Sequence, residues 1–108
     1  MFRLPCASFI IFLAALPIAI GFADAVTTIV QKDRAFNTAS VTIAAGSTIH
    51  FTNADEFIHQ VYVASPDFSF ESSEQDPDQS LDQKFPVVGT FIVHCHIHPK
   101  MSLQVNVR

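Results

Sequence analysis

From Val26 to the C-terminus the apolar residues come at every second position or in short β-branched runs. Nowhere in that stretch do they hold the 3.6-residue spacing of an amphipathic helix for three turns. In a strand, side chains two apart share a face, so each such run has one side to bury. The pattern predicts strands over Val26 to Val30, over Ser40 to Ala44 with Val41 and Ile43 on one face, and over Ser47 to Asn53. In the last of these Ile49 and Phe51 face the core, while Thr48, His50 and Thr52 face outward; Ala45-Gly46 is the turn before it. Further strands are expected over Gln60 to Ala64, entered at His59 and sharing its inward face with Val61 and Val63, and over Leu81 to Phe85 as an edge. After a turn at Pro86 to Gly89, Thr90 to Cys95 runs as a buried strand with Phe91, Val93 and Cys95 inward, and Ser102 to Val107 closes the chain. Ser65 to Gln79, rich in Ser, Asp, Glu and Pro, reads as a loop with at most one helical turn. About seven strands without helices bury their apolar faces best as an all-β, antiparallel two-sheet sandwich.

Residues 1–25 are a different kind of text. Arg3 gives a short basic start, Cys6 to Phe22 is almost wholly apolar, and Ala23-Asp24-Ala25 offers small residues where a signal peptidase reads. They are expected to be an export signal, with Val26 the new N-terminus and 26–108 one domain; an uncleaved anchor is the competing reading. The destination is then the periplasm or another exported location. No twin arginine is present, so the chain is expected to cross unfolded and to acquire any metal outside the cytoplasm.

Export sharpens the meaning of the cysteines. The chain has two; Cys6 leaves with the signal and Cys95 has no disulfide partner in an oxidising compartment. A domain of 83 residues buries only about 60–65% of its extended-chain surface, so it stands to gain from a metal. A lone exported thiol is accounted for as a metal thiolate, or else as a buried inert side chain. The mature chain has five Lys or Arg against nine Asp or Glu, which makes nucleic acid and anionic membranes poor partners. Six of those acids lie between Asp67 and Asp82, as a solvated loop or as a docking patch for a basic redox partner.

The chemistry concentrates at His94-Cys95-His96-Ile97-His98-Pro99-Lys100-Met101. A cysteine ending one strand, a histidine three residues on and a methionine three beyond that can meet at one point if the loop folds back, with His59 entering from a neighbouring strand. Two imidazoles, a thiolate and a thioether are the donors of a copper site that cycles between Cu(I) and Cu(II). Met101 is the mature chain's only methionine. A zinc ion could use His59, Cys95 and His98 but has no need of Met101. A Cys-His nucleophile would want an Asn or Asp to orient its base, and none is evident from the spacing.

These residues carry a resemblance. Val93 to Met101, with His59 upstream, resembles the copper loop of cupredoxins of the plastocyanin, pseudoazurin and amicyanin group, and the short Cys-x2-His-x2-Met spacing is most similar to amicyanin. Ala35-Phe36, Ala45-Gly46, Phe51-Thr52-Asn53 and Gly89-Thr90-Phe91 extend the likeness over nearly the whole mature chain. The resemblance implies a Greek-key sandwich, one copper ion on His59, Cys95, His98 and Met101, and an electron port at the exposed edge of His98. Gln60 and His96 stand where the family usually has Asn and Ser or Thr, which bears on the hydrogen bonds around the ligands. His94-Cys95-His96 is also similar to multicopper oxidases, but no second His-x-His pair lies upstream. Strand alternation turns His94 and His96 away from the copper.

The function expected from all this is one-electron carriage by a monomer that docks transiently on larger redox proteins, without catalysis of its own. Copper binding and delivery is the alternative.

Overall fold

The computed structural model describes residues 10–11 and 25–108. But for Ile10, Ile11 and Ala25, the segment expected to be an export signal lies outside the described residues. The rest forms nine strands: β1 (Val26–Lys32), β2 (Ala35–Phe36), β3 (Ser40–Ile43), β4 (Ser47–Asn53), β5 (Val61–Val63), β6 (Phe70–Glu71), β7 (Ser80–Phe85), β8 (Gly89–Cys95) and β9 (Ser102–Val107). One sheet runs β2-β1-β4-β7 and the other β3-β9-β8-β5-β6. This is the expected all-β two-sheet sandwich. β7 lies at an edge as expected, and the seven strands longer than two residues fall where period-two spacing puts them.

The sandwich is mixed rather than purely antiparallel. β1 pairs with β4 in parallel and so does β3 with β9. After β2 the chain leaves the first sheet, lays down β3 in the second and returns as β4, so β1 and β4 point the same way. Alternation reports which face a residue takes and is silent on strand direction.

The inner faces make one core. Ile49, Phe51 and Phe85 from the first sheet and Val61, Val93, Leu103 and Val105 from the second have no exposed surface. Each full burial of such a side chain stabilises by about 1.5–3 kcal/mol. The segment after β5 differs from its reading as a solvated loop with a helical turn. It has no helical turn; it carries the short strand β6, and its two phenylalanines pack inward. Phe68 lies with its ring centroid 5.4 Å from both Phe85 and Phe91, and Phe70 is 5.7 Å from Phe85. The two aromatic rings, together with the pairing of β6 on β5, anchor this acidic stretch to the core.

The β1–β2 hairpin turns on two residues, Asp33 and Arg34, both in the left-handed region at φ 54° and 57°. That is the twist a two-residue hairpin requires, and residues with a Cβ adopt it at a cost of about 1–2 kcal/mol each. Its tip reaches the loop between β4 and β5, where Arg34 N–H donates to Asp55 Oδ2 at 2.8 Å.

Candidate metal centre

Cys95 is the last residue of β8, paired with Val61 at the start of β5, so the thiol comes to the end of the sheet beside the loop that carries His59. Beyond it Pro99 prevents the strand from continuing, and the chain turns back with Met101 N–H donating to His98 O at 3.0 Å. Three donor atoms thereby converge. His59 Nδ1 is 3.7 Å from Cys95 Sγ, His98 Nδ1 is 3.9 Å from it, and the two nitrogens are 3.2 Å apart. A point equidistant from all three lies about 2 Å from each, the bond length at which imidazole nitrogen and thiolate sulfur hold a first-row transition metal.

The donors differ in access. His59 is fully buried, Cys95 nearly so, and His98 is half-buried with its ring edge toward Phe57 at 5.9 Å. Burial first, then the neighbouring His59 and Arg34, lowers the pKa of His98 below its ordinary 6.5, so its imidazole is neutral and ready to bind at pH 7. Met101 is buried at the end of the same turn. Among the described residues this is the one cluster of three or more His, Cys, Asp or Glu side chains able to hold an ion.

Around the donors lies a set of hydrogen bonds. Gln60 N–H points at Cys95 Sγ at 3.4 Å, the kind of contact that stabilises a thiolate. Gln60 and His96, the two departures from the family pattern, are tied through a third residue. Gln60 Nε2 donates to Glu71 Oε1 at 3.2 Å and to Ser72 O at 2.9 Å, while His96 Nε2 lies 3.2 Å from the same Glu71 oxygen. Their backbones are joined as well, His96 N–H donating to Gln60 O at 2.9 Å. The two ligand segments are thus joined directly through their backbones and a second time through the side chain of Glu71 in β6.

His94 and His96 sit on the outer face, as alternation requires. The His96 ring stacks on Tyr62 at 3.8 Å and the His94 ring tilts against it at 5.5 Å. His50 is likewise on the outside, paired with Asp82.

Two further residues belong to the site and were not legible in the sequence. Gln75, from the acidic loop, is buried and exchanges both backbone hydrogen bonds with His59, at 3.1 and 2.7 Å. Its side chain accepts from Gln31 Nε2 at 2.9 Å and donates to Phe51 O at 3.2 Å, which fixes the His59 backbone to the first sheet. Asp55 Oδ2 lies 3.0 Å from His59 Nε2, with both side chains inside the protein. In one chain both look like ordinary polar loop residues. Asp55 is also the orienting carboxylate that a Cys-His nucleophile would want, contrary to expectation. The Cys95 sulfur and the His59 ring are both buried.

No family model matches this chain, and neither does any curated protein. Solved structures do. A reduced tryptophan-to-tyrosine variant of amicyanin superimposes with a TM-score of 0.72 at 21% identity, over 82% of this chain and 87% of that one. Amicyanin from Paracoccus versutus (Thiobacillus versutus) matches with a TM-score of 0.70 at 28% identity, over 80% of this chain and 83% of that one. The chain has the cupredoxin fold. A purple cupredoxin from Nitrosopumilus maritimus shares it with a TM-score of 0.68 at 18% identity, over 76% of this chain and 99% of that one. In this chain the three converged donors lie just before β5, at the end of β8 and in the turn that follows it.

Burial alone raises the pKa of the Asp55 carboxyl, yet donors on Arg34 N, His59 and Glu56 N outweigh it and hold the group below its ordinary 3.8. A carboxyl depressed in the folded chain adds stability that is complete above the unfolded value and is lost as pH falls through the folded one. Urea titrations of the metal-free protein are expected to show stability declining below pH 3.8, with a shallower decline in Asp55→Asn. Equal slopes for the two proteins would show that this carboxylate does not contribute.

Proposed function

We propose that this protein is an exported one-electron carrier in which His59, Cys95, His98 and Met101 would together hold a single copper ion. The observation that carries the reading is the triangle of two imidazole nitrogens and one thiolate sulfur, sized for a metal at its centre. A near-trigonal His, His and Cys plane with a thioether nearby is the donor set of an electron-transfer copper site, and two amicyanins of the same fold are described in their Cu(I) forms. Bound there, copper supplies a one-electron couple.

The residues do the rest. His59 and Cys95 are held by hydrogen bonds to the Gln75 backbone, Asp55 and the Gln60 N–H, so the donors are fixed by the protein's own contacts and would need little rearrangement between the two copper states. Small rearrangement is what makes such a transfer fast. His98 is the partly exposed one of the three donors, its ring centroid lies 5.9 Å from that of Phe57, and Phe57, Ile58 and Ile97 are exposed to 39%, 38% and 41%. Exposed apolar side chains of this kind suit brief docking on a larger redox protein through a small interface.

One equivalent of Cu(II) is expected to produce an intense visible band that ascorbate bleaches and ferricyanide restores over many cycles. The ion should stay bound in the presence of a competing chelator throughout. Rapid loss of copper on reduction would favour metal delivery instead, and a colourless adduct would end the electron-transfer reading.

A further inference from the structure

We propose that Asp55 is the positioning residue of the centre: it fixes the tautomer of His59 and, as a buried negative charge one imidazole ring away from the ion, biases the site toward oxidised copper. This deepens the reading above and rests on it for its redox half.

Asp55 sits between the ligand and the scaffold. One oxygen, Oδ2, takes the Arg34 N–H at 2.8 Å and faces His59 Nε2 at 3.0 Å; the other, Oδ1, takes the Glu56 N–H at 2.9 Å. Its own N–H donates to Asn53 Oδ1 at 2.9 Å. Asn53 in turn donates to Phe57 O at 2.8 Å and Gln75 O at 3.0 Å. With donors on both oxygens the carboxylate cannot turn, and its side chain is only 5% exposed. The Arg34 guanidinium is engaged elsewhere, 4.2 Å over the ring of Phe57. The left-handed hairpin tip therefore serves to aim a backbone N–H at this carboxylate.

An ionised carboxylate only accepts hydrogen bonds. The proton of a neutral His59 must then sit on Nε2, which leaves the Nδ1 lone pair aimed at Cys95 and His98, where the metal is to bind. The charge acts separately. With a thiolate ligand, Cu(I) leaves the centre neutral and Cu(II) leaves it at +1, so a fixed negative charge in a poorly solvated surrounding stabilises the oxidised state more.

The test uses Asp55→Asn, whose amide oxygen can still accept from Arg34 while the charge is gone. In the variant the ratio of Cu(II) to Cu(I) affinity is expected to fall about tenfold, a rise of about 59 mV in the one-electron potential. A potential equivalent to less than a twofold change, with the colour retained, would overturn the charge role. Should the variant not fold, zinc-loaded wild-type protein decides the positioning role by nuclear magnetic resonance, since zinc is diamagnetic and needs no redox activity. The His59 Nε2 proton should exchange slowly and lie downfield; exchange as fast as at His96 would overturn it. If copper gives no colour in the wild-type protein, the redox half falls with the copper reading, while the zinc measurement still decides whether Asp55 orients His59.

Discussion

Cys95→Ser is expected to remove the visible band of the copper-loaded protein completely while leaving the sandwich folded. The band comes from electron density moving from a thiolate sulfur to Cu(II), and a serine hydroxyl stays protonated at neutral pH and has no comparable donor orbital. Cys95 ends β8 at the rim of the core, not at its centre, and serine is nearly the same size, so Phe91 and Val93 keep their packing. The Gln60 N–H that faces Cys95 Sγ can be met by the hydroxyl oxygen instead. Copper affinity should fall by more than the roughly 10–100-fold that losing an outer hydrogen-bonding partner costs, because a ligand itself is lost. Absorption spectra and metal competition on the two proteins measure both effects. A Cys95→Ser protein that still develops the band would show that the sulfur is not a ligand, and the proposed centre would be wrong. His50→Ala is the matched control: that histidine lies on the outer face against Asp82, and its loss should leave the spectrum as it was.

Most of this arrangement could be read from the chain because strands write their facing directly into it. Ser47–Asn53 alternates in the sequence and alternates buried and half-buried in the fold, residue for residue. Phe91, Val93 and Cys95 share a face for the same reason, and that alone delivers the thiol to the interior. The donors of the candidate centre were legible because Cys and His are rare, and their spacing around a proline-bounded turn is restrictive. What the sequence did not show has a common cause: it depends on pairing between distant segments. The parallel ladders β1–β4 and β3–β9 leave no trace in periodicity. Gln75 is polar within a polar loop, and only the fold brings it to the His59 backbone. Asp55 is four residues before His59, yet its significance depends on Arg34, which reaches it from another hairpin. Phe68 and Phe70 were the one visible hint that the acidic loop is anchored rather than free.

Removing the metal is expected to cost this domain a large part of its stability. Its core is that of a small sandwich, and among the described residues the one cysteine, Cys95, is free, so no disulfide within them links the sheets. The candidate centre joins the loop before β5 to the turn between β8 and β9, at positions 36 residues apart in the chain. An ion there binds the folded chain and has no preformed site in the unfolded one, so its binding energy appears as folding energy. At a free copper concentration about 1,000 times the dissociation constant, that amounts to about 4 kcal/mol. For a domain of this size, each kcal/mol moves the melting temperature by about 4–8 °C, so loaded protein should melt roughly 15–30 °C above chelated protein. His59→Ala should lose most of the gain, since it takes away one of the three converged donors and leaves the other two in a single loop. Calorimetry of wild type and variant, each with and without one equivalent of copper, separates the metal contribution from the cost of the substitution itself. Equal melting temperatures for loaded and chelated wild-type protein would mean that the ion does not bridge these segments, and that the convergence of His59, Cys95 and His98 does not serve to hold it.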